Sequence, residues 1–400
     1  MTQQRLAKRI GLEPVLAALE EARKRGVSRV TFLGGEPTIQ RSFLPALTAA
    51  VELGFDDIVI FTNLVRGREP RFLEEVCGLG RFTWRVSVQG GDEATHDAVV
   101  GRPGAWAKIQ AGLAWLGERG HDLTANACIN AHSYRSLPGY VDLVRATGIR
   151  QLHLDMVRPG STGVRTDEHQ RALLAPYAEM APYLGAMLDA FDAWNPDFEV
   201  NVGNLPFCVL PRHAHRIAHG GEDTLTVTTD ARGDLGRVWD KYAHQGADKV
   251  KPPGCAQCVF DRECRGVPAL QAEFFGLEGL RPVDDAEVAA LDPRVRRWLD
   301  TGWRPGRGPS RGSELPPEAT ARLASVLRRL RDGAPWAGWT LGGARTTGDG
   351  AVVRLERRGR GVDVLIATAP RLRVRFEPAP GTSLDDARPP IEAVAEALRG

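Results

Sequence analysis

The fold of this chain is decided by the stretch Val30-Thr31-Phe32-Leu33-Gly34-Gly35-Glu36-Pro37-Thr38. Its first four residues are β-branched or large and apolar, which is typical of a strand. Gly34 and Gly35 carry no Cβ, so a ligand can approach the backbone closely where the strand ends. Glu36 can accept from an ammonium group, and Pro37 fixes the exit of the chain. The stretch predicts a ligand-binding turn, although an ordinary strand-to-helix turn also fits it.

The composition is that of a globular protein. The chain has 400 residues, 42% of them hydrophobic and 26% charged, and a formal net charge of +2. Acids and bases are mixed throughout, so the sequence predicts neither a nucleic-acid partner nor a membrane partner. No stretch approaches the ~18 uncharged apolar residues of a membrane helix, and the N-terminus has no apolar core like that of a signal peptide. We therefore expect a cytoplasmic protein with reduced cysteines.

Helical and strand patterns alternate from Leu12 to about residue 160. Each predicted strand is short, β-branched and followed by small or polar residues, which is typical of parallel βαβ units. Four predicted strands follow the one at Val30, and they are Ile58–Phe61, Trp84–Val88, Leu123–Ile129 and Gln151–Asp155. The sequence therefore predicts an α/β fold with five parallel strands.

The rest of the chain predicts an extension and a second unit. One long helix from about Glu168 to Trp194 is expected to pack outside the sheet, and a cysteine-bearing insert follows it over about 199–275. A helix at about 319–331, two strands turning at Gly359-Arg360-Gly361, an alternating run at Leu372–Phe376 and a final helix predict a small α+β domain. Its expected role is accessory or partner-binding. The predicted domains are 1–165, 166–302 and 318–400, with a Pro- and Gly-rich linker at 303–317.

Two motifs together resemble the radical SAM superfamily. A strand that ends in Gly-Gly-Glu-Pro is similar to the strand with which that family binds S-adenosylmethionine. The segment Val86-Ser87-Val88-Gln89-Gly90-Gly91, with Thr95-His96-Asp97 and Gly101-Arg102-Pro103-Gly104-Ala105-Trp106 after it, is similar to the family's fourth strand and the loop beyond. The resemblance implies a partial (β/α) barrel. The five predicted strands match its second to sixth strands, so its first strand would precede Met1.

The resemblance also implies which residues bind S-adenosylmethionine. Gly34, Gly35, Glu36 and Pro37 would hold its methionyl end, and Ser87 and Gln89 would point into the barrel towards it. His96 is expected to be a local loop or helix-cap residue instead.

Further candidates are chosen by position alone. Asn63, Asn130 and Asp155 each lie at the carboxyl end of a predicted strand, on the face where barrel enzymes assemble their sites. Asn63 and Asn130 are therefore added to the cofactor-binding candidates, while Asp155 and Arg158 are candidates for cofactor or substrate contact. Each of the four also fits a residue that satisfies a turn or leaves the strand in solvent.

The strongest metal-binding pattern is Cys255-x2-Cys258-x5-Cys264. With Cys208 as the expected fourth ligand, it supplies four thiolates, which suit a 4Fe-4S cluster or a tetrahedral zinc ion. The spacing resembles the SPASM extension, which binds auxiliary clusters in radical SAM maturases. The next cysteine of that pattern is replaced by Pro268. A single auxiliary cluster, as in the shorter twitch extension, is therefore the better match.

The loop that would hold the catalytic cluster is missing from this sequence. In the family it has the form Cys-x3-Cys-x2-Cys and precedes the Gly-Gly-Glu-Pro strand, but the 33 residues before Gly34 contain no cysteine. Cys77 and Cys128 are expected to be buried core thiols. We therefore expect an N-terminally truncated radical SAM enzyme, a degenerate homologue that binds S-adenosylmethionine, a peptide or a partner without radical chemistry, or a non-functional gene product.

For an intact member, the resemblance implies a 5′-deoxyadenosyl radical, formed from S-adenosylmethionine at a 4Fe-4S cluster, that abstracts a hydrogen atom from the substrate. It implies a reductant such as flavodoxin or ferredoxin. SPASM-like and twitch-like extensions often accompany the modification of peptides or proteins, so a peptide or protein is the expected substrate.

Overall fold

Helices and strands alternate along most of the first 218 residues. The computed structural model describes residues 11–158, 167–218, 225–226, 239–240, 248–301, 326, 329–330, 336–347, 350–357, 360–367, 373–378 and 382–399. The chain divides into two compact units, Met1–Val283 and Asp284–Gly400. The predicted linker at 303–317 lies outside the described residues, so the predicted domain boundaries stay a prediction.

The first unit is built on one sheet of seven parallel strands in the order β1 to β7. The strands are β1 (Arg29–Phe32), β2 (Asp57–Thr62), β3 (Thr83–Ser87), β4 (Asp122–Ile129), β5 (Gln151–Met156), β6 (Glu199–Gly203) and β7 (Ile217–Ala218). Because the order in the sheet equals the order in the chain, each crossover returns on the same side of the previous strand. The α/β fold with parallel strands is therefore confirmed.

Helices connect these strands and cover one face of the sheet. They are α1 (Leu12–Lys24), α2 (Phe43–Glu52), α3 (Pro70–Gly78), α4 (Glu93–Val100), α5 (Ala105–Glu118), α6 (Tyr140–Thr147), α7 (Asp167–Leu173) and α8 (Tyr177–Trp194). Trp84 and Val86 of β3 are fully buried, whereas the residues that alternate with them along the strand, Thr83, Arg85 and Ser87, are only half-buried. This alternation gives the sheet an apolar outer face and a polar inner face.

Two predictions about this unit are wrong. The predicted helix from Glu168 to Trp194 is two helices, because Pro176 lacks a backbone N–H and disfavours helical geometry in the residue before it. The sheet also continues beyond five strands, since β6 and β7 lie within the predicted insert. The alternation around Val200 and Val202 is a strand signal for β6 that the prediction missed, whereas β7 has only two residues and gives no pattern.

The cysteine extension follows β7. It contains the short pairs β8 (Leu225–Thr226) with β9 (Trp239–Asp240) and β10 (Lys249–Val250) with β11 (Val267–Pro268), followed by α9 (Ala269–Phe275). Cys255 lies in a 3-10 helix, Pro253–Gln257, between β10 and β11. The strands and helices described in the extension are short, with two to seven residues each.

The second unit contains an antiparallel four-stranded meander. Its elements are α10 (Asp285–Ala289), α11 (Pro293–Thr301), β12 (Thr340–Thr347), β13 (Gly350–Arg357), β14 (Arg360–Ala367), β15 (Arg373–Pro378) and α12 (Leu384–Arg399). Arg357 pairs with Arg360, so the hairpin turns one to two residues earlier than predicted. The final helix is present, and most of the helix predicted at about 319–331 lies outside the described residues. Val353, Leu355 and Val394 belong to one buried core in this unit.

None of the helices in the described part of the chain combines the length and the apolar character that a membrane span requires.

Candidate functional site

The inner face of the sheet is polar towards the carboxyl ends of β4, β5 and β6. Three rows of side chains cross these strands, and in order along the strands they are Thr124, Gln151 and Glu199; Asn126, His153 and Asn201; and Cys128, Asp155 and Gly203. The first row is internally bonded, because Thr124 donates to Gln151 over 3.1 Å and Gln151 donates to Glu199. The other two rows approach the edge where barrel enzymes place their sites.

The turn after β1 leaves open space beside its glycines. A Cβ placed on Gly34 or Gly35 would meet no protein atom within 4 Å. Gly34 has a φ of +142°, a conformation that side chains other than glycine rarely adopt. The two glycines are exposed and present bare backbone at the carboxyl end of β1, where a ligand has room to approach. This turn, residues 34–37, is called the cradle.

The carboxylate of Glu36 holds this turn in place through hydrogen bonds. Its side chain is 7% exposed and accepts four hydrogen bonds. One carboxylate oxygen accepts from the backbone N–H of Thr38 at 3.1 Å, from its hydroxyl at 2.5 Å and from the Thr62 hydroxyl at 2.7 Å. The other oxygen accepts from the backbone N–H of Asn63 at 2.7 Å. Glu36 thus joins the ends of β1 and β2, a role that the sequence alone did not predict.

Glu36→Gln is expected to lower the free energy of unfolding by about 1–3 kcal/mol. The amide group of glutamine would present donors where the carboxylate accepts from other donors, and one of those buried donors would lose its partner. Urea denaturation of both proteins measures the difference. Glu74→Gln, on the exposed face of α3, is the matched control and should change stability by less than about 0.5 kcal/mol. Equal stability of the two variants would contradict the structural role of Glu36.

Ser87 and Gln89 lie where the predicted site needs them, at the carboxyl end of β3. Ser87 is half-buried on the inner face, opposite Asn126. The Gln89 side-chain oxygen accepts from the backbone N–H of Cys128 at 3.0 Å, so this amide also links β3 to β4. Contact of either residue with a cofactor stays a prediction.

His96 has a structural role. Its ring is 1% exposed, and Nδ1 accepts from the backbone N–H of Gln89 at 3.0 Å. The ring also packs against Trp106, with centroids 5.7 Å apart. Burial lowers the pKa of His96, which keeps the ring neutral and its Nδ1 able to accept. His96 thus lies inside α4, and not in a loop or at a helix cap as expected, and its ring holds the turn after β3 through Gln89.

Asn130 and Asn63 both shape turns. The Asn130 side chain is buried, its amide donates to the carbonyl of Cys128 at 3.2 Å, and its oxygen accepts from the backbone N–H of His132 at 2.8 Å. The Asn63 side-chain oxygen accepts from the backbone N–H of Val65 at 2.9 Å. These bonds give both residues the turn role that the sequence left open, and their contact with a cofactor stays a prediction.

The position of Cys128 differs from the predicted one. It is half-buried and lies on the inner face opposite Asp155, not in the core, because it shares the strand parity of Thr124 and Asn126. Burial, with a smaller contribution from Asp155, raises the pKa of the Cys128 thiol to about 11. Cys77, in α3, is also only half-buried, and burial raises its pKa to about 11. Both thiols are therefore neutral near pH 7.

A chain of polar contacts runs from the inner face to the cysteine extension. His153 Nε2 lies 3.2 Å from Asp155 Oδ2, and Asn204 donates to Asp155 Oδ1 over 3.4 Å. Lys249 of β10 donates to the Asn204 side-chain oxygen over 3.3 Å. Arg158, a candidate from the sequence, forms an ion pair of 2.8 Å with Asp248. These contacts place β10 beside the carboxyl ends of β5 and β6.

Three of the four predicted metal ligands lie in the extension, and packing brings Cys208 towards them. Cys208 follows Phe207, whose ring stacks on that of Phe260 with centroids 5.3 Å apart. Phe260 lies between Cys258 and Cys264 in the sequence, and both rings are buried. The aromatic pair therefore holds the Cys208 segment against the loop that carries the other cysteines.

The four thiols are electrostatic neighbours. Burial, and then the thiols of Cys264, Cys258 and Cys255, raise the pKa of Cys208 to about 12. Burial and the thiols of Cys264 and Cys258 raise that of Cys255 as well. The four thiols therefore lie close enough to interact electrostatically, as the ligands of one cluster would.

Backbone groups also donate to two of these sulfurs. The N–H of Val283 lies 3.4 Å from Cys258 Sγ, and that of Gly266 lies 3.4 Å from Cys264 Sγ. Hydrogen bonds to cysteine sulfur are among the features by which proteins tune iron–sulfur clusters. Within the described residues, no group of three or more His, Cys, Asp or Glu side chains is arranged to hold a single metal ion. Cysteine thiols with backbone N–H donors are the chemical groups that bind an iron–sulfur cluster, and the assignment of these four cysteines as its ligands stays a prediction.

Comparison with known proteins gives the family. The model of the radical SAM superfamily matches residues 2–130. A PqqA peptide cyclase from Xanthomonas oryzae pv. oryzae is 32% identical over 298 residues, which cover 70% of this chain and 77% of that protein. The chain belongs to the radical SAM superfamily. The resemblance in the Gly-Gly-Glu-Pro strand and in the segment around Ser87 is thereby confirmed as a family relationship.

Other radical SAM proteins match over different lengths. A PqqA peptide cyclase from Xanthomonas campestris pv. campestris is 33% identical over 162 residues, which is 40% of this chain and 41% of that relative. The chain thus spans less than half the length of this relative in the match. Streptococcus suis SuiB, in its structure with bound S-adenosylmethionine, has a TM-score of 0.46 and 16% identity, covering 68% of this chain and 69% of that one.

Proposed function

We propose that this chain is a cytoplasmic radical SAM protein that binds S-adenosylmethionine in the turn after β1 and acts on a peptide or protein. The observation that carries the proposal is the open cradle at Gly34 and Gly35, which Glu36 holds in place through four hydrogen bonds. Bare backbone at a strand end lets a ligand approach closely, which a side chain with a Cβ would hinder.

The residues proposed to hold S-adenosylmethionine meet at the carboxyl ends of β1 to β4. Gly34 and Gly35 supply close backbone approach, and Pro37 directs the chain away from the cradle. Glu36 acts mainly by positioning this turn and the backbone of Asn63. Ser87, Gln89 and Asn130 lie at the ends of the next strands and complete the proposed set.

The proposed auxiliary site uses Cys208, Cys255, Cys258 and Cys264. These thiolates, with N–H donors at two sulfurs, suit one 4Fe-4S cluster. The contact from Lys249 through Asn204 to Asp155 links this site to the inner face of the barrel. The proposed substrate space therefore lies between the cradle and the cysteine extension.

With S-adenosylmethionine and a reduced 4Fe-4S cluster bound, members of this superfamily supply a 5′-deoxyadenosyl radical that abstracts a hydrogen atom. For this chain we assign the cradle to cofactor binding and the inner face of β4 to β6 to substrate orientation. The polar side chains of this inner face come from three neighbouring strands.

A peptide or protein substrate is favoured by the relatives, since the matching proteins from Xanthomonas are PqqA peptide cyclases. An electron donor such as flavodoxin or ferredoxin would reduce the cluster.

The alternative function is that of a degenerate homologue that binds S-adenosylmethionine, a peptide or a partner without radical chemistry.

The test uses the protein expressed from its full reading frame, reconstituted anaerobically with iron and sulfide. Binding of S-adenosylmethionine is measured by equilibrium dialysis, and 5′-deoxyadenosine is quantified after addition of dithionite. Binding together with 5′-deoxyadenosine supports the radical function. Binding without cleavage supports the alternative, and the absence of binding contradicts both.

A further inference from the structure

The inner face of β6 carries a buried acceptor whose role the cofactor site does not explain. Asn201 is 6% exposed, and its side-chain oxygen has no hydrogen-bond partner among the described residues. Leaving a buried amide oxygen without a partner costs free energy, so such atoms usually meet a ligand or an ordered water. This makes Asn201 a marker of a binding position.

Strand parity aims Asn201 at the barrel interior. Glu199, two residues earlier, accepts from Gln151 on the inner face, and Gly203, two residues later, lies against Asp155. Side chains at alternate positions of a strand share a face. Asn201 is also paired with His153 in the register of β5 and β6, so the two side chains are neighbours on that face.

Asp155 of β5 lies on the same face, and its side chain extends over Gly203 of β6. A Cβ on Gly203 would come within 1.9 Å of Asp155 Oδ1, so only glycine leaves room for this carboxylate over β6. Its other oxygen lies 3.2 Å from His153 Nε2. The face thus presents a carboxylate and an amide oxygen on adjacent positions, and both are acceptors.

We propose that Asn201, Asp155 and His153 form a substrate subsite that takes a nitrogen-bearing donor side chain of a peptide, of the lysine, arginine or glutamine kind. The Asn201 oxygen accepts one N–H of that group, and the Asp155 carboxylate, oriented by His153 and Asn204, accepts another. A carboxylate or an apolar side chain would leave the Asn201 acceptor without a donor. The subsite rests on the proposed function, because it assigns the substrate half of that site.

The experiment uses the full chain and four probes, Ac-Gly-X-Gly-NH2 with X as Lys, Gln, Glu or Leu. Saturation-transfer difference NMR gives the dissociation constant of each peptide, with saturating S-adenosylmethionine and without it. The Lys and Gln peptides are expected to bind more tightly than the Glu and Leu peptides. Asn201→Leu should weaken both preferred peptides about tenfold, which is the loss of one hydrogen bond.

Two further variants sharpen the result. Asp155→Asn keeps the shape but removes the charge, so it should weaken the Lys peptide more than the Gln peptide, and it decides the matter alone if Asn201→Leu fails to fold. Asn195→Leu, at the exposed end of α8, is the matched control and should leave all four affinities unchanged.

Three results would contradict the proposed subsite. Equal affinities for the four probes, undetectable binding of all of them, or unchanged affinities in both inner-face variants would overturn the subsite and leave Asn201 to an ordered water. The affinity for S-adenosylmethionine is measured in the same proteins. Its loss alone contradicts the proposed function, whereas its retention with no peptide preference contradicts only the subsite.

Discussion

Gly35→Val is expected to weaken S-adenosylmethionine binding by about a hundredfold or more while leaving the fold intact. A Cβ on Gly35 meets no protein atom within 4 Å, and the residue needs no left-handed backbone conformation. The chain itself should therefore tolerate valine. The new methyl groups would occupy the space that the proposed ligand needs, so the cost appears in binding and not in folding.

The control for this variant is Gly279→Val. A Cβ on Gly279 also meets nothing within 4 Å, but the residue follows α9 in the chain and belongs to no strand end of the parallel sheet. Isothermal titration calorimetry measures binding, and thermal unfolding checks the fold. Gly34→Val is less informative because the φ of +142° at Gly34 would add backbone strain. Unchanged affinity in soluble, folded Gly35→Val would remove the cradle from the proposed cofactor site.

Cys258→Ala is expected to abolish the second proposed cofactor, the auxiliary cluster. Anaerobic reconstitution of the unmodified protein should give about four irons per chain and a broad charge-transfer absorbance. Cys258 supplies one of four neighbouring thiols, and its sulfur accepts from the backbone N–H of Val283. Removing this ligand leaves three thiols on a site that needs four, so iron and absorbance should both be lost.

Cys77→Ala is the matched control for that experiment. Cys77 lies in α3, outside the cysteine extension, so its loss should leave the iron content unchanged. Iron and zinc are measured together by plasma mass spectrometry. Zinc binding without iron uptake would replace the cluster with a tetrahedral zinc site, and equal iron loss in both variants would show that neither cysteine is a specific ligand.

The sequence predicted β1 to β5 because their apolar, β-branched runs are long enough to stand out from their surroundings. It missed β6 despite the alternation around Val200 and Val202, and it failed at α7 and α8, where helical spacing continues across a break at Pro176. The predicted residues at the strand ends were placed at the correct edge of the sheet, since that edge follows from strand direction alone.

The partners of those residues were not predictable from the sequence. Glu36 was expected to face an ammonium group, yet its carboxylate joins two strand ends. Cys128 was expected in the core and lies on the inner face. Each difference depends on the order of the strands in the sheet and on their register. A short stretch of sequence determines neither of these.

The sequence by itself determined the family, the parallel α/β architecture and the cysteines of the extension, because these follow from periodicity, strand ends and spacing. Only the tertiary structure decided the bonds of Glu36, the approach of Cys208 to the other cysteines through Phe207 and Phe260, and the buried acceptor of Asn201. These features join residues far apart in the chain. Their physical cause is packing and hydrogen-bond satisfaction across strands, which a single sequence does not encode in any local pattern.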